Sequence, residues 1–335
     1  MDALSRLIRL ARLRGSVDLR CLVAGRYTLD NPDAGKGQAP FHLLLSGACV
    51  LELPGRRIEV TAGDLVLLPR GVAHRMHARG PRAATDVERR DAGPYALVTD
   101  AASAAAARGG DEEERGGPDA PVDLFCGHYS WEAGPGQVLM DMLPDVVHVS
   151  LVNGTDADAD ADADGGAGHR GAAHLGRLAP LSGLMRDEAA RAAPGAEAVL
   201  DALCDVLLTL ALRGTPGLGR TLWLASAQDV VRTVTEAVLR DPAHDWRIEE
   251  FAGLTATSRA TFIRHFVRET GMNPGDFLTR LRMLLAADML TRTDRSVAAV
   301  ADAVGYASES AFGRAFRVAT GETPARLRRA VRALR

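Results

Sequence analysis

Lysine is nearly absent from this 335-residue chain: Lys36 is the only one, so the cationic complement of 40 side chains is almost entirely arginine. The Arg and Ala bias fits a GC-rich coding sequence and carries no function. Cysteine is scarce too. Cys21, Cys49, Cys126 and Cys204 are scattered along the chain, which excludes the disulfide framework of a small secreted domain. No apolar run approaches the roughly 18 residues that span a bilayer, so no membrane partner is expected. Residues 1–14 mix Asp2 and several arginines with Leu4, Leu7 and Ile8, too charged for a signal-peptide core. They read as an amphipathic helix on a domain surface, in a cytoplasmic protein. Overall basic charge is also missing, since the formal net charge is −3. The balance is uneven, however: residues 221–335 hold 17 Arg against 13 Asp and Glu. A basic end on an acidic body suggests that only the end meets a polyanion.

The length predicts two or three domains. Residues 17–80 alternate short apolar runs (41–45, 49–53, 57–60, 65–68) with Gly, Pro and Asp turns, the spacing of a small all-β barrel or sandwich. Residues 82–120 are Ala, Gly and charge, including Asp111-Glu112-Glu113-Glu114, and are expected to be a disordered insertion before strand-like sequence resumes at 122–129. Asp156, Asp158, Asp160, Asp162 and Asp164 run into Gly165-Gly166. The string from Asp160 resembles a calcium loop, but its twelfth position is Gly171 rather than a bidentate Glu, so 151–174 reads as a low-complexity linker. From 175 to 215 the pattern turns helical. Leu200, Leu203, Cys204, Leu207, Leu208 and Ala211 form one stripe, suited either to dimerisation or to packing on the chain's own β domain.

An internal repeat carries the strongest signal. Shifted by 50 residues, Ser258, Phe262, Arg264, Phe266, Thr270, Gly271 and Pro274 fall on Ser308, Phe312, Arg314, Phe316, Thr320, Gly321 and Pro324. Each unit makes sense alone. The Ser caps a helix, two Phe four apart anchor one face, and the Gly ends the helix before a Pro that starts the next. An Arg projects away from the core at the same place in both. Short helices at 248–254 and 297–304 precede them, completing two helix-turn-helix units. Between them 276–290 predicts a long helix with Leu278, Leu281, Leu285 and Leu290 inward, a rigid spacer for heads entering grooves about 34 Å apart.

This segment resembles the AraC/XylS-type regulators, most densely at Val304-Gly305-Tyr306-Ala307-Ser308-Glu309-Ser310-Ala311-Phe312. The resemblance implies an all-α domain over 224–332 that binds double-stranded promoter DNA and works with RNA polymerase, usually as an activator. It makes base-edge candidates of Arg259, Ala260, Ile263 and Arg264 in the first unit and Glu309, Ser310, Gly313 and Arg314 in the second. Arg268 and Arg317 are better placed for phosphates. The first turn departs from the family, with Ala256-Thr257 where Gly and an apolar residue are favoured. If Ala256 needs φ > 0, it costs up to about 1–2 kcal/mol.

Near the other end, Gly63-x5-Pro69-x-Gly71-x2-His74 resembles the second motif of the cupin barrels. Of the first motif only His42 is present, and Glu52 arrives too late, so a three-ligand catalytic metal site is incomplete. The fold expected is therefore multidomain: an all-β cupin-like sensor barrel over 1–150, a helical segment, and a double helix-turn-helix domain. Cys21, His42, His74 and Cys126, if they converge, could hold zinc or act as a thiol switch. The start of the chain, residues 1–7, together with Cys21, the 63–74 motif and Cys126-Gly127, resembles the subgroup of these regulators that responds to reactive chlorine. That resemblance implies Cys21 and Cys126 as redox sensors. An organic ligand and a purely structural role for these residues stay open, as do a homodimer and, as the alternative function, a metal-dependent cupin enzyme with a DNA-binding tail.

Overall fold

The computed structural model describes residues 2–108, 120–131, 134–151, 175–191, 193–213 and 229–333. The Asp-rich run at 156–164 and most of its linker lie outside the described residues. Strands β1 (Arg14–Val23), β2 (Tyr27–Asn31), β3 (Gln38–Ser46), β4 (Ala48–Leu53), β5 (Arg56–Thr61), β6 (Asp64–Leu67), β7 (His74–Ala78), β8 (Glu88–Asp91), β9 (Ala96–Thr99), β10 (Val122–Ser130) and β11 (Val147–Ser150) form two facing sheets. One has the order β11-β6-β3-β10-β1-β9-β8 and the other β2-β7-β4-β5.

Part of the stretch expected to be disordered is ordered. Residues 88–99 supply β8 and β9, and helix α2 (Ala101–Arg108) follows; 109–119 lie outside the described residues. The exposed face of β8 hides it from a hydrophobic-pattern reading. What fixes the stretch is non-local. β9 pairs in parallel with β1, and the Asp100 carboxylate accepts from the amides of Ala24, Gly25 and Ser103.

The large sheet is buried on both faces. Along β3, Phe41 and Leu43 point to one face, His42 and Leu44 to the other. Along β10, Phe125 and Tyr129 share the first face while Leu124 and Cys126 share the second. In β1 a bulge between Val17 and Leu19 inserts Asp18. Val17 and Leu19 are two apart yet face opposite layers, so the bulge is what turns Cys21 into the space between the sheets.

Helices α4 (Leu175–Arg191) and α5 (Ala196–Arg213) cover the outer face. The stripe Leu200, Leu203, Cys204, Leu207, Leu208 and Ala211 is buried against the chain's own sheet. As a dimer seam it is therefore corrected: its partner is β1, where a side chain at Gly15 would collide with Cys204. Tyr129 Oη also donates to Cys204 O at 2.7 Å. A buried ion network clamps α4. Arg20 donates twice to Asp123, at 2.9 and 3.0 Å, and Arg186 donates to the same carboxylate at 2.7 Å. The Arg20 guanidinium lies 5.0 Å from the Phe125 ring centroid.

The C-terminal domain contains α6 (Asp229–Arg240), α7 (Ile248–Leu254), α8 (Arg259–Thr270), α9 (Pro274–Arg292), α10 (Val297–Ala303), α11 (Glu309–Thr320) and α12 (Pro324–Ala333). Its core includes residues from outside the domain. α1 (Ala3–Ala11) and α3 (Pro135–Met142) insert Leu7, Leu10, Val138 and Met142 into it. The amphipathic α1, expected on a surface, is thus a wedge between domains.

Replacing Asp123 with Asn leaves Arg20 buried beside an uncharged partner. Loss of one partner of a buried pair costs about 3–5 kcal/mol. Urea unfolding of the full chain should show a loss of that order, and a change within about 0.5 kcal/mol, typical of a surface site, would remove this network from the account.

Candidate functional site

Two places carry chemistry: the space between the sheets and the duplicated helical unit. Between the sheets, His42 (β3) and His74 (β7) come from opposite layers and meet edge to face, with Nε2 atoms 2.6 Å apart. His42 Nδ1 lies 3.1 Å from Cys126 Sγ on β10, and His74 Nδ1 lies 2.8 Å from Val72 O. Cys21 shares the interior face of Cys126. Its register partner is Leu124, while that of Cys126 is Leu19, so the two thiols sit diagonally on adjacent strands. The sequence assigns Cys49 to the core. The structure adds that it faces the same interior from β4.

All three thiols and both imidazoles are buried, and burial decides their protonation. Desolvation pushes Cys21 and Cys49 up to about 12 and Cys126 well above its ordinary value. It pulls His42 down to about 3 and lowers His74. At neutral pH the interior holds neutral thiols and neutral imidazoles.

The expected convergence of Cys21, His42, His74 and Cys126 on a zinc ion is not what the geometry provides. His42 directs its two nitrogens to opposite partners, so the donors gather around an imidazole rather than around a common point. Nitrogen ligands of tetrahedral zinc stand more than about 3 Å apart, given bonds of ~2.0–2.1 Å. The imidazole nitrogens here are closer than that. Among the described residues no group of three or more His, Cys, Asp and Glu is placed to hold a metal. Glu52 points away, paired with His77 and Arg57.

In the helical domain the two units repeat closely. Ser258 and Ser308 cap α8 and α11 by accepting from Thr261 N and Ala311 N. Gly271 (φ 70) and Gly321 (φ 78) end them. Phe262–Phe266 and Phe312–Phe316 stack into the core with centroids 5.4 and 5.5 Å apart. Arg259, Ala260, Arg264 and Arg268 are exposed on α8, and Ile263 is half-buried against the core. Glu309, Ser310, Arg314 and Arg317 are exposed on α11, and Gly313 has open space where a side chain would stand. Arg259 pairs with Glu249 at 3.3 Å, and Arg314 donates to Ser310 Oγ at 3.0 Å. The turns differ. Ala256 holds φ 51 where the second unit has Gly305 at φ 81, and the second turn is one residue longer.

The two places are joined by α3, which follows β10 directly. Its C-terminal carbonyls are gripped from both sides. Arg70, from the motif between β6 and β7, donates to Met140 O, Asp141 O and Leu143 O, and Arg280 of α9 donates to Asp141 O. Val138 and Asp141 of α3 share a cleft of about 340 Å³ with Arg280, Arg314 and Val318. Arg12, at the end of α1, reaches Asp288 of α9 at 3.4 Å.

A cupin barrel fused to two helix-turn-helix units is the architecture of a transcription regulator that binds double-stranded DNA. The chain matches the family described as Cupin over residues 2–163 and 169–215, and the family described as Helix-turn-helix domain over 251–330. It belongs to the AraC-type transcription regulators with an N-terminal cupin domain. It is 30% identical over 335 residues to an uncharacterized HTH-type transcriptional regulator of Haemophilus influenzae, covering 99% of each chain. It is 26% identical to the RCS-specific HTH-type transcriptional activator RclR of Escherichia coli, over 100% of this chain and 99% of that one. A putative AraC-like transcription regulator of Streptomyces antibioticus is 29% identical over 97% of each. Among solved structures, the DNA-binding domain of AdpA in complex with a target DNA is 35% identical, covering 30% of this chain and 92% of that one, with a TM-score of 0.29. These relatives are regulators, which sets aside the metal-dependent enzyme. No helix among the described residues is long and apolar enough to cross a membrane.

Ala256 pays a left-handed penalty that Gly would not. Ala256→Gly should therefore raise the stability of the first unit by roughly 1 kcal/mol, seen as a higher Tm of the full chain. A lower Tm would show that the turn is not strained.

Proposed function

We propose that this protein is a redox-controlled transcription activator in which Cys21 and Cys126 are the sensing thiols and α8 and α11 read promoter DNA. The observation that carries the reading is the placement of both thiols on one interior face, on the paired strands β1 and β10, the second of which leads into α3. A relative of full length is named an RCS-specific activator, which supports the same reading. Diagonal neighbours in an antiparallel pair lie about 7–8 Å apart at Cα, beyond the ~4.4–6.8 Å of a disulfide. A Cys21–Cys126 bond therefore requires β1 and β10 to move. Movement of β10 carries Trp131 and α3 with it, and α3 is seated against α9 and α11.

On DNA, Arg259, Ala260, Ile263 and Arg264 would face one major groove and Glu309, Ser310, Gly313 and Arg314 the next, with Arg268 and Arg317 on phosphates. In this reading the protein is cytoplasmic, contacts RNA polymerase, and pairs with a second copy through the outer surfaces of α4 and α5, where Leu184 and Val206 are exposed. One observation favours a small organic effector instead, a cleft of about 320 Å³ lined by Arg12, Arg14, Ser130 and Trp131.

Two measurements test the proposal. In an electrophoretic titration, Arg264→Ala and Arg314→Ala should each cost about 1–3 kcal/mol of specific affinity; no loss in either removes the reading-head assignment. In cells treated with hypochlorous acid, Cys21→Ser and Cys126→Ser should each abolish induction while the amount of protein stays constant. Full induction in either would end the thiol-switch reading and leave the organic effector.

A further inference from the structure

The hydrogen-bonded chain through the barrel has a single direction. A carbonyl oxygen can only accept, so the 2.8 Å contact from His74 Nδ1 to Val72 O places a proton on Nδ1. Neutral His74 is then bare at Nε2. His42 Nε2, 2.6 Å away, must donate to it, which leaves His42 Nδ1 bare. Only the Cys126 thiol can fill the remaining 3.1 Å contact, with S–H donating to Nδ1. The run is Sγ–H to imidazole, imidazole N–H to imidazole, and imidazole N–H to backbone carbonyl. Every donor points away from the sulfur.

We propose that His42 is the general base for oxidation of Cys126, and that His74, held by Val72 O, is the positioning residue that keeps His42 in the accepting tautomer. This rests on the thiol-switch reading and deepens it. A buried thiol this weakly acidic holds almost no thiolate at neutral pH, and the thiolate is the nucleophile. The proton must leave as the new bond forms. With hypochlorous acid, Cys126 sulfur attacks chlorine, the S–Cl bond forms, and the Cl–O bond breaks with its electron pair going to oxygen. The thiol proton passes to His42 Nδ1 and from there to the departing hydroxide, giving water. A second thiol then displaces chloride: its S–S bond forms, S–Cl breaks, and its proton goes to the same base. Sulfur is oxidised, hypochlorous acid is reduced to chloride, and one proton is released overall. The other titratable groups acting on this chain are Cys21 on β1, Cys49 on β4 and Asp18 in the β1 bulge, and all three disfavour a thiolate at Cys126. None of them supplies the base.

The test is the rate of Cys126 modification against pH, followed site by site by mass spectrometry on the full chain. The probe is methyl methanethiosulfonate, a small uncharged reagent that does not itself titrate. With His42 as base, the wild-type rate should be nearly flat between about pH 5 and 8, since the base stays available throughout. His42→Gln should lower the rate at least about tenfold at pH 6 and restore the dependence of an unassisted thiol, about tenfold per pH unit. His74→Gln, which keeps the base but frees its tautomer, should give a smaller loss with the same flat profile. A native circular-dichroism spectrum qualifies each variant. If neither folds, the wild-type profile alone decides. A wild-type slope of one, or a folded His42→Gln with unchanged rates, overturns the proposal. The two readings fail separately: full induction in Cys126→Ser defeats the switch and leaves the kinetic result standing, while an unchanged His42→Gln defeats the relay and leaves the switch.

Discussion

β10 has to satisfy two environments at once, and the rest of the molecule follows from how it does so. It is hydrogen-bonded on both edges, to β1 and β3, within a sheet covered on both faces. Its even positions, Leu124 and Cys126, complete the packing between the sheets. Phe125 and Tyr129 pack the helices outside. Gly127 is the point of tightest approach: any side chain there would meet Phe41 and the Ser16 carbonyl. A strand pinned this way cannot relax locally. A change in the bonding of Cys126 has to be absorbed by neighbouring strands or passed along the chain, and the next element along the chain is α3.

The charge balance of the barrel follows from the same burial. Between the sheets the thiols of Cys21, Cys49 and Cys126 and the His42 imidazole are neutral, because nothing beside them offsets the cost of desolvating a charge. On the outer face, by contrast, the guanidinium groups of Arg20 and Arg186 each meet an oxygen of the Asp123 carboxylate in good geometry. One sheet therefore carries a hydrogen-bonded chain on one side and an ion network on the other. Asp123 lies beside Leu124 in β10, two residues before Phe125 and three before Cys126. The clamp on α4 and Cys126 thus share a single strand.

Much of the helical domain was legible in the sequence, because its signals are local. Caps, paired Phe and terminating Gly lie within one helix of each other, and the repeat doubles each of them. The strained Ala256 could be suspected from its turn, and its φ of 51 bears that out. The barrel was legible only in class. His42 and His74 could be placed on inward strands by their motif, and the structure brings them together. Their relation to Cys126 depends on the register of β3 against β10, which no local pattern encodes. Cys21 faces inward only because of the Asp18 bulge, an extra residue that period-two reasoning cannot see. β9 was hidden because its partner β1 lies some 75 residues away in sequence and the pairing is parallel. The role of α1 and α3 in the helical core was also hidden, since an apolar stripe does not say which domain will cover it.

The two DNA-reading units are equal in pattern and unequal in attachment. The first carries the strained turn, and Ser258 and the exposed arginines of α8 stand apart from α3. The second has Gly305 in its turn, and its helix α11 shares a cleft with α3, in which Arg314 and Val318 face Val138 and Asp141 across the seam. α9 spans both units and takes the Arg12 and Asp141 contacts from the sensor side. A displacement of α3 would reach α11 and the shared helix directly and α8 only through α9. In the proposed reading, a change in the cupin domain would therefore act on the orientation of the second unit against α9. If the two units read adjacent grooves as proposed, that relation sets whether both can enter at once, and a small shift at one helix would change the binding of the pair.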